Sequence, residues 1–345
     1  MPEELTKTPE AKGGKLTTII LVLLPIMVFL ISLCLGRYVV SPGTTLNILA
    51  SHIFPIDQTW SSIEESVIIN IRLPRLILAM LVGAGLAISG AGFQGIFGNP
   101  LVSPQILGVA AGAGFGAALG ILLSGQMFMI QGLAVAFGII AVVITYMISR
   151  MENGTPLFML VLSGVIVGAL FQALISLIKY VADPEDILPT IVYWLMGSLS
   201  GASYDDLMIG VPLILGGIII LLLMRWRINV LSLDEDEAKA LGINVERSRW
   251  IIIVAATLIT AVSVSLCGII GWVGLVIPHI GRMLVGPNHK KLLPVCVSLG
   301  SFYLLIIDNI ARTATAAEIP LSILTAIVGA PFFAYLLRKT GGKWS

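Results

Sequence analysis

The run RWRINVLSLDEDEAKALGINVERSR, residues 225–249, decides the architecture: it is a charged island between two apolar stretches, each long enough to cross a bilayer. Within it, Ser232-Leu233-Asp234-Glu235 has the S-x-x-E form of a capping box, in which hydroxyl and carboxylate satisfy the free amides of a helix start. Gly242 offers a left-handed stop. A helix of about two turns, Leu233 to Leu241, is therefore expected, with Ala238 and Leu241 on one apolar stripe. Asn244 can cap a second helix that runs into the next apolar stretch. The island reads either as a solvated loop with ordinary caps or as a docking helix for a protein outside the membrane.

Composition agrees with a membrane setting. Of 345 residues, 57% are hydrophobic and only 11% charged, against about 25% charged in soluble domains; the mean hydropathy is +1.01. A net charge of +1 offers no clustered basic face for nucleic acid. Cys34, Cys267 and Cys296 lie in or beside apolar runs without metal-ligand spacing and read as small core residues.

Ten apolar runs are candidate spans: 16–35, 73–97, 103–124, 130–149, 157–178, 206–224, 249–269, 272–286, 292–311 and 320–337. The expected fold is all-α and polytopic, with about ten transmembrane helices. The eighth run is short and carries Pro278 and His279, so it is a tilted or broken helix if it spans. Segment 182–203 is interrupted by Pro184 and Pro189 and reads as a short interfacial helix pair. The first run, preceded by Lys12 and Lys15, resembles a signal peptide in charge, but Leu33 stands before Cys34 where a cleavage site wants a small residue; an uncleaved span is expected.

With the N-terminus inside, ten spans place fifteen of the twenty Lys and Arg residues in the cytoplasm and leave Arg37, Arg72, Arg75, Lys179 and Arg312 outside. The positive-inside rule favours that orientation and an even number of crossings. It gives a cytoplasmic tail over 1–15, a transmembrane domain over 16–338 holding the charged island at about 232–248, and a second cytoplasmic tail over 339–345.

Motifs for chemistry are scarce. No G-x-x-x-x-G-K-[ST], H-E-x-x-H or nucleophile elbow occurs, so neither nucleotide hydrolysis nor proteolysis is expected of this chain. Asp308 is the one candidate for a mid-membrane carboxylate, and Arg312 lies one helical turn beyond it, the spacing of a local ion pair. Gln172, Ser176 and Lys179 share a face of the fifth run and either line an aqueous path or bond neighbouring helices. Gly108, Gly112, Gly116 and Gly120 clear one face of the third run for close helix packing.

Longer motifs then carry a resemblance. Arg72-Leu73-Pro74-Arg75, Gly83-Ala84-Gly85-Leu86-Ala87, Gly90, Gln94, Asn99-Pro100-Leu101 and Leu107-Gly108 are similar to the second and third spans of FecCD-type permeases. These are the membrane subunits of ABC importers for iron-siderophores, haem and vitamin B12. Ala238 to Gly242, Gly271 to His279, Asp308, Ala311-Arg312, Glu318-Ile319-Pro320 and Gly329-Ala330-Pro331 extend the likeness over nearly the whole chain.

The resemblance implies a type II ABC importer permease. It would pair with a second copy or a sister permease in the lipid bilayer, with two cytosolic ATPase subunits that use ATP and Mg, and with an extracytoplasmic substrate-binding protein. The chain itself would bind no cofactor or metal and catalyse nothing. The likeness makes Asp234, Glu237, Ala238, Leu241, Gly242 and Ile243 the element coupled to the ATPase. It makes Arg72, Arg75 and Arg312 external docking residues for carboxylates of the binding protein, with internal pairing or snorkelling as the alternative. Asn99 and Leu101 resemble an inner gate, though a plain helix-breaking turn explains them equally; near Gly154-Thr155-Pro156 the chain departs from the family and no gate residue carries over. Tyr193 to Gly201 looks more like siderophore permeases than the B12 type, so an iron-siderophore cargo is expected, with haem or B12 as alternatives. A rival of another class, an ion-coupled secondary carrier, would need essential mid-membrane carboxylates and no coupling helix.

Overall fold

The computed structural model describes residues 15–150, 156–233 and 235–340. Among them the regular structure is helical: α1 (Lys15–Cys34), α2 (Pro42–Ser51), α3 (Ser62–Ser66), α4 (Leu73–Phe97), α5 (Val109–Leu123), α6 (Met127–Ser149), α7 (Leu157–Val181), α8 (Ile187–Met196), α9 (Tyr204–Leu231), α10 (Glu235–Ala240), α11 (Val245–Cys267), α12 (Val273–Val285), α13 (His289–Thr313) and α14 (Leu321–Thr340).

Every expected span contains a helix, but among the described residues six stretches are long and apolar enough to cross a membrane by length and composition. These are the continuous run Ser62–Phe97 and helices α6, α7, α9, α11 and α13. The apolar parts of α1 and α14 and the whole of α5 and α12 are shorter. The third expected span is interrupted: Pro104–Leu107 forms a 3-10 turn, Gly108 takes a left-handed φ of +80°, and α5 starts only after it. Proline preset the turn and glycine supplied the reversal. Segment 182–203 holds one helix, α8, rather than a pair, and α9 continues seven residues past the expected end at 224, to Leu231.

The helix α4 is the centre of the bundle. Of the most apolar eighteen residues in Ser62–Phe97, 89% are buried, against 28% for α6 and 33% for α7. It packs on α9, α11, α12 and α13, and its glycines explain how. A Cβ on Gly83 would lie 2.2 Å from the Gly300 carbonyl oxygen of α13, and one on Gly90 would lie 1.9 Å from the Gly274 oxygen of α12. Two helices thus cross α4 backbone against backbone, the close approach that small residues permit where no hydrophobic drive separates helix from lipid. The four-residue glycine spacing of α5 works likewise: Gly112, Gly116 and Gly120 face the backbone of α6 at Phe137, Leu133 and Ile130. Gly108 is the exception, serving as the reversal before α5 and facing α7.

Candidate functional site

The charged island folds differently from its capping signal. Ser232 is the C-cap of α9, and its hydroxyl donates to the Asn229 carbonyl at 2.7 Å instead of capping α10. The S-x-x-E box fails because α9 extends into it; Asp234 lies outside the described residues. The later signals hold. Gly242 has φ +76°, with the Ile243 amide bonded to the Ala238 carbonyl at 3.3 Å, and the Asn244 side chain accepts from the Arg247 amide at 2.9 Å. Helix α10 is pinned by Glu235, which pairs with Lys239 at 3.0 Å and Arg249 at 3.2 Å. The hydrogen bond from Lys239, ahead of the Arg249 charge, holds the Glu235 carboxyl below its usual range.

Ala238 and Leu241 do not share an outward stripe. Ala238 is 1% exposed, packed into the chain's own core, while Leu241 is 58% exposed. In so short a helix one apolar residue must anchor the element to the bundle, and the small one fits. Outward contact falls to Leu241 and Glu237, with Ile243 half-buried on a neighbouring cleft.

At the opposite end of the bundle the three candidate docking arginines are buried and bonded within the chain. Arg72 donates to the Leu33 carbonyl at 2.6 Å and to the Tyr38 carbonyl. Arg75 pairs with Asp308 at 2.8 Å and places both terminal nitrogens on Glu318, at 2.8 and 2.9 Å. Arg312 reaches Asp308 at 3.4 Å and donates to the carbonyls of Leu35 and Ser32, each at 2.6 Å. The expectation of guanidinium forks open to an external carboxylate does not match this placement. The Asp308–Arg312 pair read from spacing is present, but it belongs to a larger network that ties α1, α4 and α13 to the loop before α14. Glu318, in the quoted Glu318-Ile319-Pro320 motif, was missed as a partner because its mate is 243 residues away in sequence.

Burial alone would raise the Glu318 carboxyl, but the bonds from Arg75 outweigh it and hold the group below its usual range. A carboxyl so depressed adds stability above its unfolded pKa of about 4.3, and that stability is lost as pH falls through the folded value. Unfolding temperature measured against pH should therefore separate the native chain from Glu318→Gln at neutral pH, and the gap should close below about pH 4. A constant gap would show that the ion pair is not its source.

Gly98, at φ +58°, ends α4, and the Asn99 side chain accepts from the Leu101 amide at 2.9 Å, so the local turn forms. Leu101 projects from it, 44% exposed. Gln172 and Ser176 lie exposed on α7 with Lys179 half-buried beside them, and the Ser176 hydroxyl donates to the Gln172 carbonyl at 3.0 Å. The structure adds a polar crossing that spacing did not announce: Gln94 on α4 donates to the Gly274 carbonyl at 3.3 Å and accepts from Arg282 on α12. The three cysteines are free.

Comparison with known proteins bears on this arrangement. The sequence model of the FecCD transport family matches residues 22–339. The molybdate import system permease protein MolB of Haemophilus influenzae is 44% identical over 320 residues, covering 92% of this chain and 94% of that one. A probable iron chelatin transport system permease protein of Helicobacter pylori is 42% identical over 276 residues, 80% of this chain and 83% of that one. A solved metal-chelate type ABC transporter, in an inward-facing conformation, superposes with a TM-score of 0.85 at 42% identity, covering 94% of this chain and all of that one.

Proposed function

This chain belongs to the FecCD transport family, and on that premise we propose that, as the permease subunit of an ABC importer, it carries a small metal oxyanion of the molybdate type. The 44% identity to a molybdate permease, extending over nearly the full length of both chains, carries this reading. The donor groups on α7 agree with it: an amide and an ammonium at Gln172 and Lys179 suit an anion that accepts hydrogen bonds on every side, while Ser176 spends its proton on the Gln172 carbonyl. A ferric chelate is the second reading, favoured by the Helicobacter relative and by the siderophore-like run Tyr193 to Gly201.

The rest of the assembly follows the family. A second permease copy would complete the path along α7, with Leu101 and Asn99 narrowing its inner mouth. Residues 16–338 form the permease domain in the cytoplasmic membrane, and both tails and α10 face the cytosol. There Leu241, Glu237, Gly242 and Ile243 meet the ATPase, and Ala238 seats the helix on its own bundle. ATP-driven motion of that contact would rock the helices between inward-open and outward-open states. At the far side Arg72, Arg75 and Arg312 build the rim on which a substrate-binding protein rests, rather than offering open forks to it.

Vesicles holding the permease with its ATPase and a panel of binding proteins decide the cargo. ATP-dependent uptake of molybdate or tungstate, with none of a ferric siderophore, is expected; the reverse pattern installs the second reading, and uptake on an ion gradient without ATPase defeats both. Coupling has its own test. Leu241→Asp should lower ATPase co-purification by about tenfold, roughly 1.4 kcal/mol, while the unfolding temperature holds. Unchanged co-purification would place the contact elsewhere.

A further inference from the structure

We propose that an aminophospholipid occupies an amphipathic groove formed by α6, α7, α10 and α11, with its headgroup against α10. Two hollows meet there. One is a cleft of about 690 Å³ at the ends of α6, α7 and α11, bordered by Glu235, Lys239, Glu246 and Arg249. The other is an apolar groove of about 430 Å³ running on between α6 and α11, past Ile139, Val143 and Val254. They share Tyr146 and Trp250, whose rings meet edge to face with centroids 4.1 Å apart. A charged hollow opening into an apolar one past a tyrosine and a tryptophan is the profile of an amphiphile at the headgroup boundary, where these two side chains concentrate.

The charges select the headgroup. Two cations and two carboxylates border the cleft, but Glu235 takes both cations, leaving Glu246 without an ion pair among the described residues. A zwitterion completes the set: its phosphate beside Lys239 and Arg249, its primary ammonium donating to Glu246. An anionic headgroup would leave the Glu246 carboxylate unrelieved, and a quaternary ammonium has no proton to donate.

The groove opens on a helix pair suited to lipid: Val143 and Val254 are 50% and 58% exposed. The site rests only on the membrane placement of these helices, and not on the cargo. Because Glu235 and Lys239 belong to α10, lipid occupancy would bias the position of the element assigned to ATPase contact.

Native mass spectrometry of the full chain, delipidated in mild detergent and returned to equimolar phosphatidylethanolamine, phosphatidylglycerol and phosphatidylcholine, tests it. Phosphatidylethanolamine adducts should survive about fivefold better than the others. Val254→Trp, which fills the groove from an exposed position, and Glu246→Gln should each erase that preference while the unfolding temperature stays constant. Equal retention of the three lipids, preference for either of the others, or adducts indifferent to both substitutions would overturn the proposal. No ATPase or cargo enters the readout, so its failure is separate from failure of the transport reading.

Discussion

Replacing Asp308 with Ala should destabilise the chain by about 3–5 kcal/mol, the cost of breaking a buried ion pair from one side. Asp308 is fully buried and is shared by Arg75, from α4, and Arg312, one turn along α13. Removing its carboxylate leaves Arg75 with Glu318 alone and Arg312 with backbone carbonyls and Asn309 as its only acceptors. Both charges then sit in a low-dielectric site with part of their compensation gone. Chemical unfolding in detergent micelles measures the loss. Arg312→Met alone should cost less, because Asp308 keeps its bonds to Arg75, and combining it with Asp308→Ala should cost less than the sum of the two singles. Additive losses, or an Asp308→Ala penalty under about 1 kcal/mol, would mean that the network contributes little.

The second large effect concerns Gly90. A Cβ there would stand 1.9 Å from the Gly274 oxygen and 2.6 Å from its carbon, both backbone atoms. No rotamer change relieves such a contact, so α4 and α12 must part, also pulling Gln94 from the Gly274 carbonyl. Gly90→Ala should cost about 3 kcal/mol or more, at or beyond the upper end of ordinary overpacking. Two residues on, Gly92 provides the control. Its Cβ would meet only Ile252 and Leu221 side chains, at 3.5 and 3.6 Å, and the helix gains about 1 kcal/mol of intrinsic propensity from alanine. Gly92→Ala should therefore be neutral or stabilising, and ATP-dependent uptake should survive it while Gly90→Ala loses both stability and transport. Equal behaviour of the two variants would show that α4 and α12 do not meet backbone to backbone.

These effects separate what local chemistry encodes from what packing imposes. The end of α4 at Phe97, the cap at Asn244 and the stop at Gly242 were legible because each depends on residues within a turn of one another. The capping box at Ser232 was misleading for the same reason: its local energy, about 1 kcal/mol, lost to the burial gained when α9 continued through Val230 and Leu231. The face of α10 was equally hidden, since Ala238 and Leu241 look alike to a periodicity count and only contact with α9 and α11 turns one inward.

By itself the sequence determined that this chain is an all-helical membrane protein and an ABC importer permease, because long apolar runs and ordered family motifs are properties of the string. The tertiary structure alone decided which helix is central, which arginines are tied down and which side of the short helix is turned outward. Those facts depend on contacts between residues as far apart as Arg75 and Glu318, and the energy of such a contact is set by geometry and desolvation that neither residue carries alone.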